Sequence, residues 1–235
     1  MGATQFTLKQ KIFAWGVHLF TASGAVWGFL AILAAQRHQW WVLAAWGALA
    51  LIVDGFDGML SRKARVKEVL PQLDGALLDN MVDYLTYVVV AAFFLYEAKL
   101  VPPPFLLAAA ILMMLTSAYQ FSQVDAKTED HYFKGFPSYW NLAVFYMFIL
   151  RTNPWLNLLA IVIFAVLIFV PILYVYPSRT LKLRRLTLSL TFLWGIITAA
   201  IIVQFPHPHP VLVWLSLLYV GYYFGLSIYD TLLRS

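Results

Sequence analysis

No cysteine occurs in the 235 residues. That excludes disulfides, thiolate metal sites and a cysteine nucleophile, and leaves carboxylate oxygen and imidazole as the available metal ligands. It also leaves the redox compartment unread. Charge is equally scarce, at 11% of residues, where an ordinary soluble domain has about 25%. Together with 62% hydrophobic residues and a mean hydropathy of +0.77, this excludes a water-soluble globule and predicts an integral membrane protein. There is no internal repeat of useful period and no polar stretch long enough for a second unit. Residues 1–235 therefore read as a single membrane domain.

Hydrophobic segments are what the chain has in abundance. Eight can be marked, at roughly 13–35, 39–60, 75–98, 102–122, 137–150, 155–176, 187–205 and 211–230, and about 20 residues suffice to cross a bilayer. Prolines punctuate them, notably Pro71, Pro102 to Pro104, Pro154 and the Pro206 to Pro210 run. The first segment is too long for a signal-peptide core and lacks a small-residue cleavage site, so it reads as a retained helix. The expected fold is an all-α polytopic bundle of about eight transmembrane helices.

The formal charge of +5 does not imply nucleic acid, because the basic residues sit in short loops between apolar runs. Anionic lipid head groups and phosphate substrates are the expected partners. Of the 16 Lys and Arg, only Arg37, Lys99 and Arg151 fall on one side of an eight-helix layout. By the positive-inside rule the other side, with both termini, is cytoplasmic.

Four carboxylates lie where apolar helix is expected. In Asp54-Gly55-Phe56-Asp57-Gly58 the two acids are ~60° apart around a helix axis, and Asp79 and Asp83 in the next segment are ~40° apart, so each pair shares a face. Unpaired carboxylates in a membrane are costly. Two facing pairs carry a charge that two hard divalent cations would cancel, and such ions can clamp a phosphoryl group undergoing displacement. Gly58 and Gly75 would let a bulky ligand approach both backbones. Asp74, just before Gly75, reads as a helix N-cap instead, while Glu97 and Asp230 read as interfacial.

The run Asp54-x2-Asp57-Gly58-x2-Ser61-Arg62, then twelve residues, then Gly75-x3-Asp79-x3-Asp83, resembles the signature of the CDP-alcohol phosphotransferases. Ser61 stands where that family carries alanine. The twelve-residue gap and segments such as Ala14 to Ala22, Val66 to Pro71 and Gly135 to Asn141 are similar to the bacterial phosphatidylcholine synthases. The resemblance implies transfer of a phosphatidyl group from CDP-diacylglycerol to choline, yielding CMP, with Mn²⁺ or Mg²⁺ as two ions per site. It implies Asp54, Asp57 and Asp79 as metal ligands, with Asp83 both bridging metal and acting as the base. Gly58, Ser61, Arg62 and Gly75 would contribute to the CDP site, together with Thr21 and His18 of the first segment. Arg62 has a lesser alternative as a plain positive-inside charge, and His18 can equally be a helix-packing donor. A bacterial inner-membrane location, a homodimer and contact with membrane lipids are also implied.

Choline cannot donate a hydrogen bond from its quaternary ammonium, and aromatic faces are the usual solution. Tyr84, Tyr87, Tyr139 and Trp140 are the aromatic candidates, although Trp and Tyr gather at membrane interfaces regardless. Asn141 could orient the acceptor or join two helices. Arg179, Arg184 and Arg185, with Lys182, form a basic loop that either holds a lipid phosphate or reflects topology alone. Two rivals remain: a sister enzyme with serine, inositol or glycerol phosphate as acceptor, and a divalent cation transporter. The fixed glycines, Arg62 and the lack of a second polar stretch argue against transport. A non-enzymatic lipid-binding or scaffold protein is a third reading, against which the intact acid and base positions stand.

Overall fold

The computed structural model describes residues 6–128, 130, 132–177 and 183–233. Each of the eight apolar segments contains a helix. They are α1 (Leu8–Gln36), α2 (Trp40–Ala64), α3 (Gly75–Glu97), α4 (Pro103–Ser122), α5 (Trp140–Ile149), α6 (Pro154–Leu167), α7 (Arg184–Val203) and α8 (Pro210–Leu232). Six are long and apolar enough to cross a membrane unaided, while α5 and α6 have 10 and 14 residues. Many large apolar side chains, Leu19, Leu107, Phe192 and Leu218 among them, point outward from the bundle, as lipid-facing positions do.

Local chemistry sets the helix ends. Thr7 caps α1 in a reciprocal box with Gln10, the Thr7 amide donating to Gln10 Oε1 at 2.8 Å. Asp74 caps α3, its carboxylate accepting from the amides of Ala76 and Leu77 at 3.0 and 3.1 Å, the role its position foretold. Directly after Asp83 the α3 backbone widens into a π-helical stretch, Tyr84–Val89, a feature frequent at functional sites. Gly24 and Gly28 let α1 lie against α3. A Cβ at Gly24 would come within 2.5 Å of Val82 Cγ1, and one at Gly28 within 3.2 Å of Thr86 Cγ2. Small residues at such crossings are how membrane helices gain dispersion contact without a hydrophobic driving force.

The segment expected over 155–176 is helical only to Leu167. Pro171 cannot continue a helix, and the chain turns into a short strand, β2 (Leu173–Val175), antiparallel to β1 (Tyr132–Lys134). This ribbon prolongs the short α5–α6 hairpin toward the end of the bundle where α8 finishes: the Leu173 amide donates to Thr231 Oγ1 at 2.9 Å, and the Tyr132 hydroxyl to Asp230 at 2.9 Å. Non-helical backbone at membrane depth is tolerated when protein covers it, and residues 135–138 between β1 and α5 are all buried. Asp230 is only 1% exposed, so the expectation of an interfacial position is corrected: α8 packs on β2 and encloses it. Glu97 does sit at a helix end, 3.2 Å from His38.

The main core is aromatic. Phe136 stacks on Phe164 at 4.8 Å and meets Trp140 edge-on at 5.4 Å, joining the ribbon, α5 and α6. Between α7 and α8, hydroxyl pairs Thr187–Tyr222 and Thr191–Tyr219, each at 2.7 Å, zip the helices.

Candidate metal centre and acceptor cavity

Asp54 and Asp57 come from the second half of α2, and Asp79 and Asp83 from the first half of α3. Ligand oxygens of Asp54, Asp57 and Asp79 all lie within 4.8 Å of one another, so these three could hold a metal ion. Asp57 is buried and the other two are partly so. Asp83 lies one helical turn beyond Asp79, outside that mutual set but in electrostatic reach of all three. Its Oδ1 is buried and meets no hydrogen-bond partner among the described residues. Buried polar atoms are nearly always satisfied, so a partnerless carboxylate oxygen beside three other acids fits a site built for a cation or an incoming hydroxyl.

Two groups temper this charge. The Tyr87 hydroxyl, from the π-helical stretch, donates to Asp54 Oδ2. Lys127, in the loop between α4 and β1, lies in electrostatic reach of Asp54, Asp79 and Asp83, with its ammonium 5.9 Å above the Phe133 ring. Nothing in the sequence separates it from Lys134, which instead pairs with Asp125 at 2.6 Å. Only tertiary folding brings Lys127 to the acids.

On the α1 side, His18 is buried under Gly75. A Cβ on Gly75 would sit 3.2 Å from His18 Cε1, so the missing side chain is what lets the imidazole approach. His18 Nε2 has no hydrogen-bond partner among the described residues, whereas the Thr21 hydroxyl donates to the Val17 carbonyl at 3.4 Å. Arg62 is exposed, makes no ion pair among the described residues, and lies against Gly58, where a Cβ would meet its Nη1 at 3.3 Å. Ser61 is half-buried on the preceding turn position.

From Asp54 a cavity of about 620 Å³ extends among α5, α6, α7 and α8. Of the aromatic acceptor candidates, Tyr87 and Tyr139 line it, as does Asn141, whose Oδ1 accepts from the Leu142 amide at 2.9 Å. Two others do not. Tyr84 turns to α4, its hydroxyl donating to the Met114 carbonyl at 3.0 Å, and Trp140 is fully buried with its indole N–H on Ser117 Oγ at 2.7 Å. Both take packing positions outside the lining of the cavity that Tyr87 and Asn141 share. The sequence reading missed Tyr223, Tyr219, Trp194 and Tyr146, which complete the cavity wall. Tyr223, Tyr219 and Trp194 come from helices remote in sequence, Tyr146 shares α5 with Asn141, and in a chain rich in aromatics no spacing marks them. Tyr139 stands 6.2 Å from both Tyr87 and Tyr223, ring to ring.

Arg184 and Arg185 are exposed in the first turn of α7, where the positive end of the helix dipole adds to their charge. Arg179 and Lys182 lie outside the described residues.

No family model matches the chain. Individual proteins do. It is 45% identical to a phosphatidylcholine synthase of Legionella pneumophila over 96% of this chain and 91% of that protein. It is 38% identical to one of Pseudomonas aeruginosa over 94% and 92%, and 40% identical to one of Mesorhizobium japonicum over 77% and 68%. With likeness of this strength over most of the polypeptide, the chain belongs to the phosphatidylcholine synthase family.

Proposed function

We propose that this protein transfers the phosphatidyl group of CDP-diacylglycerol to choline, forming phosphatidylcholine and CMP. One observation carries the choice of acceptor. The cavity that begins at Asp54 is walled by Tyr87, Tyr139, Tyr146, Trp194, Tyr219 and Tyr223, and no Lys, Arg or His is among its described lining residues. Aromatic faces attract a quaternary ammonium. An acceptor bearing phosphate or carboxylate would meet no counter-charge there, which disfavours glycerol phosphate and serine.

Asp54, Asp57 and Asp79 would hold the divalent cations, Mn²⁺ or Mg²⁺, with Asp83 completing a two-ion site. Such ions supply positive charge for docking the diphosphate and a Lewis acid that stabilises the departing CMP oxygen. The chain's own groups do the rest. Asp83, with Oδ1 unpartnered, takes the choline hydroxyl proton; the freed oxygen bonds to the phosphorus that carries diacylglycerol, and the bond from that phosphorus to the CMP oxygen breaks. The Tyr87 hydroxyl holds Asp54 in place. Arg62 and Lys127 are the cations available to the substrate phosphates, with Gly58, Ser61, Gly75, Thr21 and His18 shaping the nucleotide side. Arg184 and Arg185 suit a lipid phosphate at the helix start. Among the described residues no group bonds to Asp83 Oδ1, which suits a base awaiting its substrate.

The acids belong on the cytoplasmic side of the bacterial inner membrane, where CDP-lipids and choline meet. The loops at that end carry most of the Lys and Arg. Purified protein in detergent, given CDP-diacylglycerol, Mn²⁺ and a panel of alcohols, should release CMP with choline. Release with serine or inositol and not choline would overturn the acceptor assignment.

A further inference from the structure

The acceptor does not account for the size of its own cavity. At roughly 30 Å³ for each water-sized group, the few heavy atoms of choline fill about 200 Å³, a third of the 620 Å³ present. Depth disagrees as well. The lining follows α5 from Tyr139 through Leu142 and Tyr146 to Leu150, which is about 16 Å at the helical rise. The ammonium, held near Tyr87, Tyr139 and Tyr223, reaches only the first part of it.

Beyond Tyr146 the wall changes character. Met147, Leu150 and Leu156 line it, and at the far end the lining reaches a polar knot. Thr152 Oγ1 meets Asn157 Oδ1 at 2.5 Å, and Asn157 Nδ2 donates to the Leu100 carbonyl at 2.7 Å. These groups are satisfied by one another, so they end the cavity rather than call for a polar ligand. An unfilled apolar space of this size forfeits dispersion contacts on every wall. In a bilayer the natural filler is a hydrocarbon chain, which gives up no hydrophobic free energy in moving from lipid to protein.

Resting on the proposed transfer reaction, the geometry points to a chain-measuring subsite: one acyl chain of the lipid substrate runs from the phosphorus at Asp54 down the α5–α6 face to the Thr152–Asn157 knot. The rival path is the shallow groove between α2 and α7 at Gly47, Ala48 and Thr198. It offers about 70 Å³, too little to seat a long chain.

The test compares CDP-diacylglycerols with long and with eight-carbon chains, using Ala160→Phe, which narrows the cavity midway along α6 and so bars the way to its lower half, and Ala160→Leu should the larger side chain impair folding. The expected result is a fall of about tenfold in the ratio of kcat/KM for long over short chains, smaller for leucine, with the choline KM within twofold of the starting value. An unchanged ratio overturns the subsite, as does a choline KM that rises in parallel. Binding is read separately by photolabelling with a CDP-diacylglycerol carrying a diazirine at the chain end. Labels within residues 147–157 support the subsite, and labels confined to Gly47, Ala48 and Thr198 overturn it. If the unmodified protein releases no CMP with choline, the transfer reading fails. If it does and the ratio stays put, only the subsite fails.

Discussion

At the scale of single residues, Asp83 and Gly75 carry the sharpest consequences. Asp83→Asn keeps the shape of the side chain and removes the proton acceptor. Turnover should fall by about 10²- to 10⁴-fold, the usual contribution of a general base, while CDP-diacylglycerol binding, followed by protection from thermal unfolding, persists. Unchanged turnover would remove Asp83 from that role. Gly75→Ala forces a methyl to 3.2 Å from the His18 ring, so the ring must give by a few tenths of an ångström and the nucleotide side distorts. The KM for CDP-diacylglycerol should rise several-fold. His18→Ala in the same chain should restore it if crowding is the cause, a coupling that a double-mutant cycle reads directly. The gathering of Asp54, Asp57 and Asp79 was legible beforehand because intramembrane carboxylates have few bland readings. Tyr223 and Trp194 were not, because an aromatic on a membrane helix has many.

Among the elements, the loop and ribbon between α4 and α5 departed furthest from the sequence reading, which left residues 123–136 as a bare connection between two apolar segments. Its tie is the Lys134 ammonium on Asp125 at 2.6 Å, with the Lys134 amide donating to the Ala126 carbonyl at 3.0 Å. Hydrogen bonding and the charge of Lys134 hold the Asp125 carboxyl below its ordinary range. A carboxyl depressed on folding contributes stability above its unfolded pKa, and that contribution is lost as pH falls through the lower, folded value. The protection factor of the Lys134 amide in hydrogen exchange should therefore be level from neutral pH to about 5 and decline below about 4. Asp125→Asn should abolish that decline and leave protection low throughout. Since Lys127 reaches the acids from this loop, loosening it should also weaken substrate binding.

For the whole molecule, the even number of segments sets the two termini on one side whether α5 and α6 both cross or both stop short. The turn between them does reach the end opposite the acids, since Arg151 donates to His207 Nδ1 at 2.8 Å and the two share a pocket with Lys99. The absence of cysteine makes topology mapping clean. In oriented vesicles, Gln72→Cys should react with a membrane-impermeant maleimide from the cytoplasmic face only, and Arg37→Cys and Arg151→Cys from the other face only. Labelling of Gln72→Cys and Arg151→Cys from the same face would overturn the arrangement.

Composition and hydropathy determined that this is a helical membrane protein, and the spacing between Asp54 and Asp83 set two pairs of carboxylates each on one helix face. Those features are local. Burying a carboxylate in a bilayer is expensive wherever it occurs, and residues three or four apart share a helix face in any context. What surrounds the acids was decided by tertiary structure alone. The aromatic wall draws one or two side chains from each of several helices, and Lys127 arrives from a loop. The length of the cavity depends on where Thr152 and Asn157 meet. Each of these is a contact between distant parts of the chain, for which no short-range pattern exists in the order of residues.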